Sequence, residues 1–352
     1  MKLAIVSDLH LGHRQYRTED NGFNKFEQIG YRVFNKNIEL IKACKPDLLI
    51  NAGDTFDVAN PPVNAIKKYF AGMAELENIP DMTILGNHDF SFQNRKASCS
   101  AVALLEHTYF ADYEIKEVVI DDILFVMMPY IFDTDENIDQ YLKACETIAK
   151  KSTCKKKILI THGVTDRYYR ENYINDPIHL SDALVKCFNL VIIGHIHTPF
   201  HYYEGKTLVI SPGGMIDYQA DEDHTGPIIL DTDTMKFERK FVKTPHIIKL
   251  NCDSDTINDA LKSVTENIYH ITYTGNLDTI DHDLFIEAQR KSVNLVIDVA
   301  AHTDSVDDTQ ASTSLVHLDL YEWVKANYPN HYDLFVIAKK GVSINDTAAK
   351  GI

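Results

Sequence analysis

Six strand-length apolar runs punctuate the N-terminal part of the chain, at 2–7, 47–52, 82–85, 123–128, 157–161 and 190–193, and five break off directly into clusters of Asp, His, Asn and Gly. Short apolar runs of this kind read as strands buried on both faces, and parallel strands need crossover helices between them. Between the first two runs, Phe26, Ile29, Val33, Ile38 and Ile41 recur at roughly helical spacing until Pro46 ends the pattern. After the second run, Asn60 followed by Pro61 and Pro62 reads as an N-cap and helix start, with Val63, Ile66, Phe70, Met73 and Leu76 along one face. Both helices are expected to cover the sheet. The alternation predicts an α/β fold.

From about residue 198 the pattern changes to strands with close turns, Glu204-Gly205 among them, which implies a second sheet layer. Beyond Pro245 a fresh unit follows: strand 246–252, helix 255–266, strand 269–275, helix 281–291 and strand 294–300. The expected division is therefore 1–244, 245–303 and a linker with C-terminal segment over 304–352, where the polar stretch 302–314 reads as a loop.

Composition excludes several classes. The first residues already read as a buried strand, so no signal peptide is expected, and charges interrupt every apolar run before it could span a membrane. Six cysteines at 44, 99, 145, 154, 187 and 252 show no paired spacing, so reduced thiols and a cytoplasmic location are expected. The formal net charge of -16 argues against holding nucleic acid by bulk electrostatics. Acidity is spread over the chain: residues 241–352 carry 9 Lys+Arg against 16 Asp+Glu, and residues 1–240 carry 26 against 35.

The chemistry lies in the five clusters. Asp8-Leu9-His10 follows the first run, and side chains two apart in an extended chain face one side, so a carboxylate and an imidazole are expected to meet at one point. Gly53-Asp54, with Asp57 close behind, follows the second, and Gly86-Asn87-His88-Asp89 the third. Thr161-His162-Gly163 and Gly194-His195-Ile196-His197 close the fourth and fifth. One histidine among 16 means little, but five clusters at strand ends point to one site, since ligands of α/β sheets gather outside the carboxyl ends of strands. Asp8, His10, Asp54, Asn87, His162, His195 and His197 are too many donors for one ion and suit two divalent ions sharing a carboxylate, with Mn, Fe or Zn as candidates. Two ions about 3.5–4 Å apart clamp a phosphoryl group for in-line displacement, the chemistry of phosphoester hydrolysis.

The series DLHLG, GDTFD, GNHD, THG and GHIH resembles the calcineurin-like metallophosphoesterases. Within them, KPDLLINAGDTFDVANPP and IPDMTILGNHD are similar to the SbcD-type DNA double-strand-break nucleases, a group that includes shorter phage-encoded versions. The resemblance implies a four-layer α/β/β/α sandwich of two mixed sheets with a small C-terminal α/β capping domain. It implies that Asp8, His10 and His197 bind one metal, that Asn87, His162 and His195 bind the other, and that Asp54 bridges them. It further implies His88 as the acid that protonates the leaving oxygen, Asp89 as its orienting partner, manganese as the favoured ion, a homodimer, and an SbcC-type, SMC-like ATPase partner. His13 and Asp57 are candidates for support behind the ligands. With a partner gripping DNA, the acidic chain needs only local basic groups, and Arg14, Arg17, Arg95, Arg167 and Arg170 follow the metal motifs. Lys96, Tyr168 and Tyr169 lie beside them, whereas the run Lys155 to Lys157 reads as a solvated loop.

Two other readings compete. A phosphatase or cyclic-nucleotide or small-molecule phosphodiesterase would use the same site, but protein phosphatases with this core read Arg-Gly-Asn-His-Glu where this chain has Leu85 before Gly86 and Asp89 after His88. A purely structural site would tolerate a missing donor, and none is missing.

Overall fold

Strands apolar on both faces need a layer on each side, and in the computed structural model two sheets supply it for one another. The structure describes residues 1–15, 19–20, 23–91, 94–98, 100–104, 106–131, 135–167, 176, 178–216 and 226–299. They fall into two compact units that divide between Ile247 and Ile248. The main elements of the first are β1 (Lys2–Val6), α1 (Lys25–Cys44), β2 (Leu48–Asn51), α2 (Val63–Glu75), β3 (Asp81–Ile84), β4 (Tyr109–Ala111), β5 (Lys116–Ile120) and β6 (Ile123–Met128). There follow α3 (Asp135–Lys151), β7 (Lys156–His162), β8 (Val164–Thr165), β9 (His179–Leu180), β10 (Leu190–Gly194), β11 (Phe200–Glu204), β12 (Thr207–Ser211), β13 (Ile228–Asp231) and β14 (Phe237–Arg239).

The first sheet has the order β14-β13-β1-β2-β3-β4, with β1 to β4 parallel and, at one edge, β13 antiparallel to β1 and β14 antiparallel to β13. The second has the order β11-β12-β10-β7-β6-β5, with β6, β7, β10 and β12 parallel and an antiparallel strand at each edge. Their inner faces form one core, in which Ile5, Ile50 and Met82 of the first sheet join Phe125, Ile160 and Ile192 of the second. Each such buried side chain contributes roughly 1.5–3 kcal/mol of hydrophobic stabilisation. On the outside of the first sheet, Phe34 and Ile41 of α1 and Tyr69 of α2 close over Val6 and Leu49. On the outside of the second, Cys145 of α3 lies 3.6 Å from Met128 of β6. The result is the expected α/β/β/α sandwich of two mixed sheets.

Helix ends follow local chemistry. Asn24 caps α1 by accepting from Glu27 N–H, and Lys45 ends it in a left-handed conformation just before Pro46. Asn60 does not cap α2: Pro62 stands at the N-cap, which makes no side-chain cap hydrogen bond. The second sheet also begins earlier than residue 198, at β5 and β6, and the hairpin of β11 and β12 extends it at one edge. That hairpin turns at Gly205-Lys206, one residue later than expected, because Glu204 pairs with Thr207.

The second unit contains β15 (Ile247–Cys252), α4 (Ile257–Lys262), β16 (Ile268–Tyr273), α5 (His282–Lys291) and β17 (Asn294–Val299), with β16 and β17 parallel in a three-stranded sheet. Tyr269, Ile271 and Tyr273 are buried with Ile257 and Leu261 while Thr272 is exposed, the alternation of a sheet covered on one face. The segment 304–352 lies outside the described residues. Among the described residues no helix is long and apolar enough to cross a membrane.

Candidate metal centre

The motif residues converge because the backbone turns sharply where the strands stop. Asp8, His10, Asp54 and His195 all adopt left-handed conformations, with φ of 50°, 41°, 52° and 84°. Each such non-glycine residue costs about 1–3 kcal/mol and persists only where surrounding contacts enforce it. Here the first two loops are tied together: Asp8 N–H donates to the Gly53 carbonyl at 3.0 Å and His10 N–H to the Asp54 carbonyl at 3.1 Å. Gly53 itself has φ of 100°, which a side chain would hinder. His195 N–H donates to both Asp8 carboxylate oxygens, at 3.0 and 3.1 Å, so the fifth loop is pinned to the first. The clusters converge at the carboxyl ends of the strands as expected, but strand alternation, the expected reason that Asp8 meets His10, is not the cause. His195 and His197 face different partners, and Asp8 and His10 meet through left-handed turns beyond the end of β1.

Two donor triads result, Asp8 with His10 and His197, and Asp54 with His162 and His195. In the first, His10 Nε2 lies 3.1 Å from His197 Nε2, which in turn is 3.8 Å from Asp8 Oδ1. In the second, Asn87 Oδ1 lies 3.0 Å from His162 Nε2 and 2.9 Å from His195 Nδ1. Asp54 Oδ2 lies 3.3 Å from His162 Nε2 of its own triad and 3.6 Å from His10 Nε2 of the other. All seven sequence-predicted donors thus meet in one cluster, with Asp54 in the shared position.

The electrostatics are those of carboxylates and imidazoles forced together out of water. Burial alone would lower the His162 imidazole, but the Asp54 carboxylate outweighs it and pushes His162 up to about 10. Against its own burial, Asp54 is held well below the ordinary aspartate range by His162 and His10. His197 goes the other way, down to about 4, through burial and the neighbouring His10. The donor set suits divalent ions: nitrogen and oxygen lone pairs converge, with no thiolate among them.

The phosphoesterase identity follows from comparison with known proteins. The family described as calcineurin-like phosphoesterase matches residues 1–199. The chain belongs to that family. It is a metal-dependent hydrolase, with the pair of donor triads that a dinuclear centre requires. The DNA double-strand break repair protein Mre11 of Methanococcus maripaludis is 25% identical over 334 residues, covering 90% of this chain and 82% of that protein. Its counterpart in Methanocaldococcus jannaschii is 27% identical over 286 residues, 75% of this chain and 73% of that one. An SbcCD nuclease subunit of Staphylococcus saprophyticus is 25% identical over 292 residues, 76% of this chain and 75% of its own length.

Around the phosphoesterase donors, His88 is exposed and its ring lies edge-on to His10, with centroids 4.7 Å apart. Its N–H donates to Asp54 Oδ1 at 2.8 Å, and its Nδ1 lies 2.7 Å from the Asp57 carbonyl oxygen. Asp89 is not placed to orient it as expected. The buried Asp89 carboxylate accepts backbone N–H groups of Thr55, Phe56 and Gly86, at 3.3, 3.3 and 3.0 Å, which joins the second loop to the third. Asp57 is the busier residue: its carboxylate lies 2.6 Å from His13 Nδ1 and 3.4 Å from His10 Nδ1, and with His10 and His88 it forms a third triad.

The basic residues divide. Arg14 is 57% exposed and its Nε donates to the buried Glu27 at 2.6 Å, while Tyr31 holds the other oxygen of that carboxylate. Arg167 is engaged by Glu204 at 3.1 Å and lies over the Tyr202 ring. Arg17, Arg170, Tyr168 and Tyr169 lie outside the described residues, as do the side chains of Arg95 and Lys96. Lys156 and Lys157 begin β7, whose far end carries His162, so the lysine run sits away from the donors. Sequence reasoning missed Asp176, whose carboxylate lies 2.6 Å from His195 Nε2. An isolated Asp in a polar stretch carries no pattern that could have singled it out.

Proposed function

We propose that this chain is a DNA nuclease, cutting phosphodiester bonds at DNA ends or in single strands as exonuclease and endonuclease, and working with manganese as the nuclease subunit of an SbcCD-like repair complex. The observation that carries the reading is the span of the likeness. Similarity to a protein named for DNA double-strand break repair runs over 90% of the chain, far beyond residues 1–199, over which the phosphoesterase family matches. A homodimer beside an SMC-like ATPase also answers the net charge of -16, because the partner supplies much of the grip on the phosphate backbone.

In this reading Asp8, His10 and His197 hold one ion, Asn87, His162 and His195 the other, and Asp54 both. The chemistry such ions supply is Lewis acidity toward a phosphoryl oxygen and activation of water. His88 serves as the general acid: with Nδ1–H donated to the Asp57 carbonyl, Nε2 is the nitrogen left to exchange a proton with the leaving oxygen. Asp89 contributes indirectly, by fixing the loop that carries Asn87 and His88. Arg14, held by Glu27 and 57% exposed just after the first motif, is the first of the basic residues proposed to meet a substrate phosphate. Arg17, Arg95, Arg167 and Arg170 complete the proposed DNA-contacting set.

The test uses purified protein, Mn and labelled duplex or single-stranded DNA. Cleavage is expected, with His88→Ala reducing the rate by about 10²–10⁴-fold at unchanged metal content. Faster turnover of a phosphomonoester than of a phosphodiester would favour a phosphatase instead.

A further inference from the structure

Three ligand histidines present one ring nitrogen to the donor cluster and the other to a partner behind it. For His162 the rear partner is the Ala52 carbonyl, 2.8 Å from Nδ1, and for His10 it is Asp57, 3.4 Å from Nδ1. For His195 the arrangement is reversed: Nδ1 faces Asn87 in the cluster, and Nε2 meets Asp176 Oδ2 at 2.6 Å. This is the shortest of the three rear contacts. Asp176 is only 4% exposed in its side chain, so its carboxylate is withdrawn from water onto this ring.

The carboxylate is delivered by the fourth motif loop. Asp176 Oδ1 accepts Ile178 N–H at 2.9 Å, which leaves Oδ2 for the histidine. Ile178 is in turn fixed by its carbonyl, which accepts Val164 N–H at 2.9 Å, and by the parallel pairing of Val164 with His179 and Thr165 with Leu180. Gly163 makes this approach possible, since a Cβ there would lie 2.6 Å from Ile178 Cγ2 and 2.8 Å from the Ile178 carbonyl oxygen. The glycine of Thr161-His162-Gly163 therefore seats a second chain segment rather than forming a turn. Through it the loop that carries one ligand, His162, also supports another, His195.

We propose that Asp176 is a positioning residue of the metal centre: it holds His195 with the proton on Nε2, so that the Nδ1 lone pair is aimed at the ion shared with Asn87 and His162. This rests on the metal-centre reading above. A carboxylate behind a ligating imidazole fixes both tautomer and ring orientation, and losing such a partner typically weakens metal affinity about 10–100-fold.

Mn binding to the full-length, metal-stripped protein, followed by calorimetry without DNA, tests this. Asp176→Ala should weaken one of two binding events by about 10–100-fold and leave the other within about threefold, with Asp176→Glu recovering part of the loss. Asp176→Asn, the milder change, covers the case in which the alanine variant does not fold, and should weaken the same single event. In a His195→Ala background, Asp176→Ala should have no further effect on the remaining event. Unchanged affinities in the single variants would overturn the proposal, and so would an equal loss with and without His195. Because no DNA is present, failure to cut DNA despite two intact Mn sites would count against the nuclease reading alone.

Discussion

Both ends of the first sheet bury histidine against aspartate, and the two ends resolve the contact in opposite ways. At the amino end of β3, Asp81 lies 2.6 Å from His107 Nδ1, and His107 Nε2 meets the Val102 carbonyl at 2.9 Å. The Asp81 carboxylate also accepts Thr108 N–H at 2.9 Å and the Thr83 hydroxyl at 3.0 Å. Both carboxylate oxygens of Asp81 and both ring nitrogens of His107 are partnered there within the fold. At the carboxyl end, two Nε2 atoms face one another across 3.1 Å, and two imidazoles crowd one Asn87 oxygen. Left-handed backbone occurs at Asp8, His10, Asp54 and His195 and not at Asp81 or His107. Buried His and Asp do not by themselves mark a metal site; lone pairs that converge on strained turns do.

The largest effect that could break this contrast is at Asp54, whose carboxylate belongs to one triad and reaches His10 of the other. Asp54→Asn should take metal content from two ions toward none by elemental analysis and bring hydrolysis to background, as should a chelator added to the wild-type enzyme. Retention of two ions by that variant would show that the convergence at Asp54 does not hold the centre together.

The opposite end should respond in stability alone. Removing one partner of a buried pair leaves the other uncompensated and costs about 3–5 kcal/mol. His107→Ala should therefore lower the urea midpoint by a loss of roughly that size, while the folded fraction keeps two ions and its turnover. Loss of metal with His107→Ala would mean that the two ends are coupled through β3 and that their contrast is false.

The two ends were also unequally legible in the sequence. The strands and both covering helices could be read because apolar runs and helical spacing depend on local order along the chain. The seven donors could be read because each sits next to a strand whose end is itself visible. Three things could not. The left-handed turns at Asp8 and His10 depend on hydrogen bonds to Gly53 and Asp54, more than 40 positions away, and strand alternation gave the right residues for the wrong reason. The role of Asp89 was misplaced because adjacency to His88 says nothing about which backbone N–H groups its carboxylate meets. Asp81 and His107, 26 positions apart, resemble any other pair of polar residues until the sheet brings them together.

The smallest expected effect is the pH dependence of that closed pair. Burial acts to raise the Asp81 carboxyl, but the His107 contact, the Thr108 N–H and the Thr83 hydroxyl outweigh it and hold Asp81 below the ordinary aspartate value. A depressed carboxyl binds its proton at lower pH in the folded than in the unfolded chain, so the unfolded state takes up the proton first as acid is added. The stabilisation is complete above the unfolded value of about 4 and fades as pH falls through the folded one. Asp81→Asn removes the charge, so in metal-free protein the stability gap between wild type and variant should be widest near pH 6 and shrink toward pH 3. Urea midpoints across that range measure it. Metal-free protein is required, because metal binding at the other end of the strand competes with protons and would add a pH-dependent stabilisation of its own, whereas the titration of the cluster itself is common to wild type and variant and cancels from the gap. A gap that stays constant with pH would show that the closed pair owes its stability to shape and neutral hydrogen bonding, and that charge distinguishes the two ends less than convergence does.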